Sequence, residues 1–349
     1  MANYLIYGAN GYTGALIARE AVPRGHRPVL AGRNAAGVSA LARELGLDHR
    51  AFGLDDPATV RAGLQGMTVV LHCAGPFAHT AGAVAEACLQ TGAHYLDVTG
   101  EISVFEMLAQ RDEAAKAAGV MLLPGAGFDV VPSDCLAAHL KRRLPAATKL
   151  ALGFQMRGGL SRGTATTMTE NLGRGGAVRR GGKLTPVPAG WRTRVIDFGR
   201  GPVTAMTIPW GDVSTAYYST GIPDIEVYMA APRSMRVVAR LSRYFGWALG
   251  SRPVQRWLKR RIQARPPGPS DEQRARGQSL LWGEVRDERG ACAVARLRGP
   301  EGYTLTALTA LAVVQRVLAG QAPPGFQTPA KAYGADFVLE VPGVQRSDE

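Results

Sequence analysis

Residues Tyr4–Gly14 read YLIYGANGYTG, an apolar run leading into three glycines spaced GxxGxxG. Between a strand and a helix, such glycines let the chain turn tightly at Gly8 and approach a pyrophosphate at Gly11. Gly14 then lets helix and strand pack closely. Asn10, Tyr12 and Thr13 share this loop, and the free N–H groups of the following helix would face the anion. An NAD site usually carries an acid about 20 residues on, to bind the ribose 2′-hydroxyl. Here that place holds Arg33 and Asn34, and no acid follows until Glu44. An arginine there can pair bidentately with a 2′-phosphate, so the expected cofactor is NADP(H). The plainer alternatives are a structural glycine turn and an exposed arginine at a helix start.

Two later loops are expected to complete the pocket, because ligands of doubly wound sheets bind at the carboxyl ends of the strands. One is Cys73-Ala74-Gly75-Pro76-Phe77; the other runs from Asp97 through Gly100 to Glu101. Asp55 is read either as an adenine contact or as the cap of a helix beginning near Pro57. The cofactor carries the hydride, so the protein must supply a proton or stabilise developing charge. Candidate groups are Glu101, Asp129 and Asp134 of GFDVVPSD, and one of Tyr217 and Tyr218, with Tyr218 preferred. The two tyrosines are read as alternating along a strand. Structural readings stand beside these: Asp134 starting a helix over Cys135–Leu144, Asp129 fixing a turn, and His72 and Cys73 as buried strand-end residues. Phe128 suits either the nicotinamide ring or the core. None of the ten tyrosines has a lysine four residues later, so the Tyr/Lys pair of short-chain dehydrogenases is absent.

The elements that must hold these groups alternate strand and helix, as in a parallel α/β sheet. Strands are predicted at Tyr4–Tyr7, Pro28–Ala31, Ala51–Leu54, Val69–His72, Tyr95–Val98 and Val120–Leu123, with helices at Tyr12–Val22, Val38–Leu45 and Ala83–Thr91. The fold class is thus a Rossmann-type doubly wound sheet over residues 1–125. A second α+β domain on a mainly antiparallel sheet follows over 126–302. Its stretch Gly153–Gly182 holds nine glycines and reads as loops around one helix, Thr164–Leu172. Strand-like patterning runs from Arg192 to Met229, and a hairpin joins Leu280–Arg286 to Ala291–Leu297. A helix over Leu305–Leu318 and a tail follow, and the segment 303–345, with its apolar run Phe337–Val341, is expected to pack back on the first domain.

The whole chain has 349 residues, a hydrophobic fraction of 46% and a net charge of +13. This is an ordinary globular composition whose charge favours an anionic partner. Four scattered cysteines and six dispersed histidines form no disulfide framework and no metal-ligand spacing. No secretory leader and no stretch of about 18 uncharged apolar residues is visible, so a cytoplasmic location is expected.

YGANGYTG, AGRN, CAGPF, HYLDVTGE, GFDVVPSD and IPWGDVSTAYYSTGIP together resemble the saccharopine dehydrogenase-like oxidoreductases. The resemblance is strongest to the bacterial branch that includes trans-acting enoyl reductases of mycobacterial lipid synthesis. It implies a nicotinamide-binding Rossmann domain with a substrate domain, acting on a C=C bond of a lipid intermediate or a C–N bond of an amino acid.

Residues Arg233–Arg265 contain ten Arg/Lys and no acid, with apolar residues at helical spacing and a break near Gly250–Pro253. Apolar residues fall at Val237, Val238, Leu241, Tyr244, Phe245, Ala248 and Leu249, and a second set at Val254, Trp257, Leu258 and Ile262. Such helices lie on anionic membranes, or else pack internally with a solvated charged face. The leading expectation is an NADPH-dependent reductase of an apolar or lipid-linked C=C bond, peripheral to the inner face of the membrane. One rival is an amino-acid dehydrogenase whose Arg157, Arg162, Arg174, Arg179 and Arg180 hold carboxylates. The other is a non-catalytic NADP-binding membrane-surface protein. Nucleic acid is not expected as a partner, since no binding module surrounds the arginines, and the sequence is compatible with a homodimer.

Overall fold

The computed structural model describes residues 3–157, 159–170, 175–249 and 251–349. Two compact units emerge: residues 1–131 with 303–332, and residues 132–302 with 333–349.

In the first unit, strands and helices alternate as β1 Tyr4–Tyr7, α1 Tyr12–Ala21, β2 Val29–Gly32, α2 Ala35–Leu45, β3 His49–Ala51 and α3 Pro57–Leu64. The alternation continues as β4 Val69–His72, α4 Phe77–Thr91, β5 His94–Asp97, α5 Ile102–Ala109, α6 Asp112–Ala117 and β6 Met121–Leu123. The strands pair in the order β3-β2-β1-β4-β5-β6, all parallel, and Gly325–Phe326 adds a seventh beside β6. β1 and β4 are buried throughout, as expected of strands covered on both faces. The order reverses between β1 and β4, which is the switch point where such sheets bind ligands. β3 lies earlier than the expected Ala51–Leu54. The cap of α3 is Asp56, which accepts from the Ala58 and Thr59 N–H groups, while Asp55 is exposed.

The second unit contains α7 Val131–Arg143, whose first residue belongs to the first unit, then β7 Lys149–Arg157, α8 Arg162–Glu170, β8 Gly176–Arg180 and β9 Lys183–Val187. β10 Thr193–Asp197, β11 Pro202–Thr207, α9 Asp212–Thr220 and β12 Asp224–Ala230 follow. The chain continues through α10 Arg233–Leu249, α11 Arg252–Gln263, α12 Asp271–Arg276, β13 Gln278–Arg286 and β14 Cys292–Pro300. The sheet runs β10-β11-β12-β7-β13-β14, with Gln345–Asp348 at its end. It is antiparallel except for the β12–β7 pair. Gly283 brings β13 close to α7, since a Cβ there would lie 3.2 Å from Leu136 Cδ2.

Four expectations are corrected here. The Gly-rich stretch is not only loop, because β7 and β8 run through it. The predicted strand carrying Tyr217 and Tyr218 is helix α9, closed by Gly221 at φ 70°. Asp134 lies inside the first turn of α7, which begins four residues before the expected start. The tail divides: α13 Gly302–Leu318 enters the first unit from Tyr303, whereas residues 333–349 belong to the second. There Gln345–Asp348 pairs with β14, and Phe337–Glu340 is a short 3₁₀ turn.

Candidate functional site

All the first unit's candidates sit at the carboxyl ends of the parallel strands. Gly8 follows β1 at φ 80°, and a Cβ there would lie 2.8 Å from the Ala74 nitrogen and 2.9 Å from Ala74 Cβ. Gly8 thus meets two requirements at once, a left-handed backbone and close approach of the loop after β4. A Cβ on Gly14 would strike the Gly8 carbonyl, so α1 starts directly beneath the turn. Gly11 caps α1 without any side-chain hydrogen bond. Tyr12 stands edge-on to Tyr303 at 5.0 Å, and Thr13 lies in the first turn of α1. Asn10 reaches toward the end of β2, where a Cβ on Gly32 would lie 3.2 Å from its Oδ1.

Arg33 leaves β2 exposed and has no carboxylate partner among the described residues. Asn34 caps α2 through the Gly37 N–H, 3.1 Å. Burial pushes the Tyr7 hydroxyl up, with Arg33 opposing and Asp55 adding to the shift, so both charges lie on the rim beside β1.

The loops after β4, β5 and β6 are tied together by carboxylates. Asp97 Oδ2 accepts from the Tyr95 hydroxyl at 2.7 Å, and its Oδ1 accepts from the Thr99 and Gly125 N–H groups at 3.0 and 2.8 Å. Both oxygens of Glu101 accept backbone N–H groups at the start of α4, from Phe77 at 2.8 Å and Ala78 at 3.0 Å. Glu101 therefore caps α4 and fixes the Cys73–Phe77 loop, whose Gly75–Pro76 bond is cis. Cys73 is partly covered, and burial pushes its thiol up.

His72 is fully buried among Tyr7, Phe77 and Tyr95. The Thr80 hydroxyl donates to the Ala74 carbonyl, so His72 Nε2 donates to Thr80, 2.9 Å away. Nδ1 has no hydrogen-bond partner among the described residues, and burial lowers the imidazole to about 3.

Asp129 is different. Its carboxyl accepts no hydrogen bond among the described residues, and burial alone raises it to about 7. It lies over Gly100, where a Cβ would come within 3.0 Å of both its Cβ and its Oδ2. The segment beneath it is held by α13: the Phe128 N–H donates to Thr306 Oγ1 at 3.0 Å, and the Thr309 hydroxyl donates to the Ala126 carbonyl at 2.8 Å. Phe128 itself is a buried core side chain. Asp97 and the two threonines were not singled out in the sequence. Threonines recurring through an otherwise apolar helix, TLTALT, were the available signal.

In the second unit, Asp134 accepts from the Ser219 hydroxyl, a structural tie between α7 and α9. Tyr217 lies under the Arg179 guanidinium at 4.3 Å, and its ring meets Tyr218 edge-on at 5.8 Å. Arg162 donates to the Arg265 carbonyl. Arg174 and the Arg157 side chain lie outside the described residues. Arg179 and Arg180 do line a cavity of about 390 Å³, together with Lys149, Arg192, Arg194 and Arg286. Glu226 holds Arg180 and Arg192, and Glu284 holds Arg194 and Arg286.

Residues 4–123 match the saccharopine dehydrogenase NADP binding domain. Human saccharopine dehydrogenase-like oxidoreductase is 26% identical over 160 residues, 40% of this chain and 37% of that protein. The trans-acting enoyl reductase of Mycobacterium leprae (strain TN) is 30% identical over 148 residues, 40% of this chain and 35% of that protein. The match thus spans little more than a third of the length of either relative. Apo saccharopine dehydrogenase (L-Glu forming) from Saccharomyces cerevisiae aligns over 100% of both chains, with a TM-score of 0.69 at 12% identity. That likeness establishes the fold. The first unit therefore carries an NADP(H)-binding domain of the saccharopine dehydrogenase type.

Proposed function

We propose that this chain, built around that NADP(H)-binding domain, is an oxidoreductase that reduces a C=C bond of an apolar or lipid-linked substrate. The observation that carries the reading is Asp129, a half-buried carboxyl at the carboxyl edge of the sheet that binds the cofactor, with no hydrogen bond among the described residues and raised to about 7 by desolvation. A group titrating near the working pH is suited to give a proton once hydride has been delivered. In this reading Gly8, Gly11 and Gly14 seat the pyrophosphate and Arg33 takes the 2′-phosphate. Asn10, Tyr12, Thr13, Asn34 and the Cys73–Phe77 and Gly100 loops border the dinucleotide. NADPH bound there supplies the hydride. Glu101 acts as a positioning residue, since both its oxygens are committed to α4. The enoyl reductase relative supports the C=C chemistry.

A second reading, C–N chemistry on an amino acid, draws on the cavity of the second unit, whose six cationic side chains face three carboxylates, Asp224, Glu226 and Glu284. Its excess positive charge suits a substrate carboxylate. NADPH oxidation with enoyl thioesters of increasing chain length, set beside amino-acid-derived imines, decides between the two. Turnover that grows with acyl length supports the reductase. Turnover with imines alone replaces it, and tight NADPH binding without turnover on either series leaves only a binding protein.

A further inference from the structure

We infer that α10 and α11 form a docking surface for an anionic phospholipid bilayer. This goes beyond the reductase reading and does not depend on it. The described half of α10 is arranged inversely to a water-facing helix. Its partly covered edge is Arg236, Ala239 and Ser242, and Ala239 Cβ packs where a Cβ on Gly190 would lie 3.2 Å away. Its apolar residues are the ones left in solvent: Met235 is 38% exposed, Val237 46%, Val238 58% and Leu241 52%. In a helix that ended its packing in water, this stripe would face the core.

α11 repeats the arrangement. Ile262 is buried, and Lys259 pairs with Glu170 of α8 at 2.6 Å, so α11 rests on α8. Trp257 points away from that contact at 56% exposure, with Arg261 over its ring at 5.2 Å. Met168 of α8 is exposed as well, at 46%. A tryptophan bracketed by arginines suits the bilayer interface, where an indole has apolar and polar neighbours.

Charge selects the occupant. The segment 233–265 has ten cations and no acid, and Arg233, Arg236, Arg240, Arg260 and Arg265 have no carboxylate partner among the described residues. A second copy of this chain would bring that same positive field against itself, whereas anionic headgroups neutralise it. Among the described residues no helix is long and apolar enough to cross a membrane. The contact is therefore one that lies in the interface rather than one that spans.

The test uses the full chain and vesicles of phosphatidylcholine, with and without phosphatidylglycerol, by co-sedimentation at physiological salt. The chain is expected to bind the mixed vesicles, to ignore pure phosphatidylcholine, and to be released by salt at about 1 M, where screening reaches about 3 Å. The variant Val238→Glu/Leu241→Glu alters exposed positions, so it is expected to keep the melting temperature and NADPH affinity. Its partitioning is expected to fall by roughly a hundredfold, from lost apolar insertion and added repulsion. Absence of binding to mixed vesicles overturns the inference. So does unchanged binding of the double variant, or a wild-type dimer that the same variant dissociates, which would make the face an interface between copies.

Discussion

Replacing Asp129 with Asn separates the cost of its environment from its use. In the folded chain this carboxyl holds its proton up to about 7, against an ordinary 3.8, and the cause is burial. Between those values the folded chain retains a proton that the unfolded chain has released, so stability falls as pH rises through the window and levels off above it. A shift from 3.8 to about 7, at about 1.4 kcal/mol per unit, sets an upper limit of roughly 4 kcal/mol on the stability withheld at about pH 8. Asn resembles the protonated acid in shape and neutrality. Asp129→Asn is therefore expected to be near neutral in stability at about pH 4 and to stabilise by up to about 4 kcal/mol at about pH 8. Denaturant unfolding of both proteins across that range measures the difference directly. A stability difference independent of pH would refute the reasoning, because it would mean that the carboxyl ionises in the fold as easily as outside it. If the acid is the proton donor, the same variant should keep NADPH affinity while turnover falls by about 100-fold or more. More stable and less active is the signature expected of a group held for chemistry.

Three further perturbations probe the scaffold. Arg33→Ala should weaken NADPH binding by about 10- to 100-fold, the loss of one or two charge-assisted hydrogen bonds, while leaving NADH affinity and melting temperature unchanged; equal effects on both nucleotides would contradict the assigned role. Gly8→Ala must place a side chain at φ 80° and 2.8 Å from the Ala74 nitrogen, so a loss of about 2–4 kcal/mol is expected in chemical unfolding, together with NADPH affinity. Glu101→Gln keeps one acceptor oxygen for the N–H groups at the start of α4 but loses the charge; it should cost about 1–2 kcal/mol and lower NADPH affinity without altering the pH profile of turnover, whereas an altered profile would make Glu101 a proton carrier.

The first unit was legible because parallel strands covered on both faces read as unbroken apolar runs; YLIY and VVLH need no tertiary information to be recognised. The glycine turn was equally plain. The helix over Tyr217 and Tyr218 was not, because its β-branched and aromatic residues favour a strand locally, and the stronger signal, Gly221 followed by Pro223, marks only the end. Asp56 was passed over for Asp55, although a proline at the first helical position makes the residue immediately before it the cap. β8 was hidden by the glycines on either side. The amphipathic pattern of 233–265 predicted two helices well but not which side of each would be covered. Tyr244, Phe245, Ala248 and Leu249 carry side chains outside the described residues.

The carboxylates of the first unit show why residue type alone could not assign the chemistry. Asp97, Glu101 and Asp129 all lie at the carboxyl ends of β5 and β6, and the sequence singled out Glu101 and Asp129 alike as proton candidates while passing over Asp97. Their surroundings divide them. Asp97 is buried, yet three hydrogen bonds work against that burial, and its carboxyl comes to rest at about 6. Those donors would lose their acceptor if it took up a proton and turned away, so its work is to hold Thr99 and Gly125 in place. Glu101 spends both oxygens on the start of α4. Asp129 alone has burial without donors, and Gly100 leaves the space in which it sits. No hydrogen-bond donor among the described residues compensates its charge, which makes the ionised form costly, and under the proposed reduction it is the one of the three suited to give its proton to a substrate.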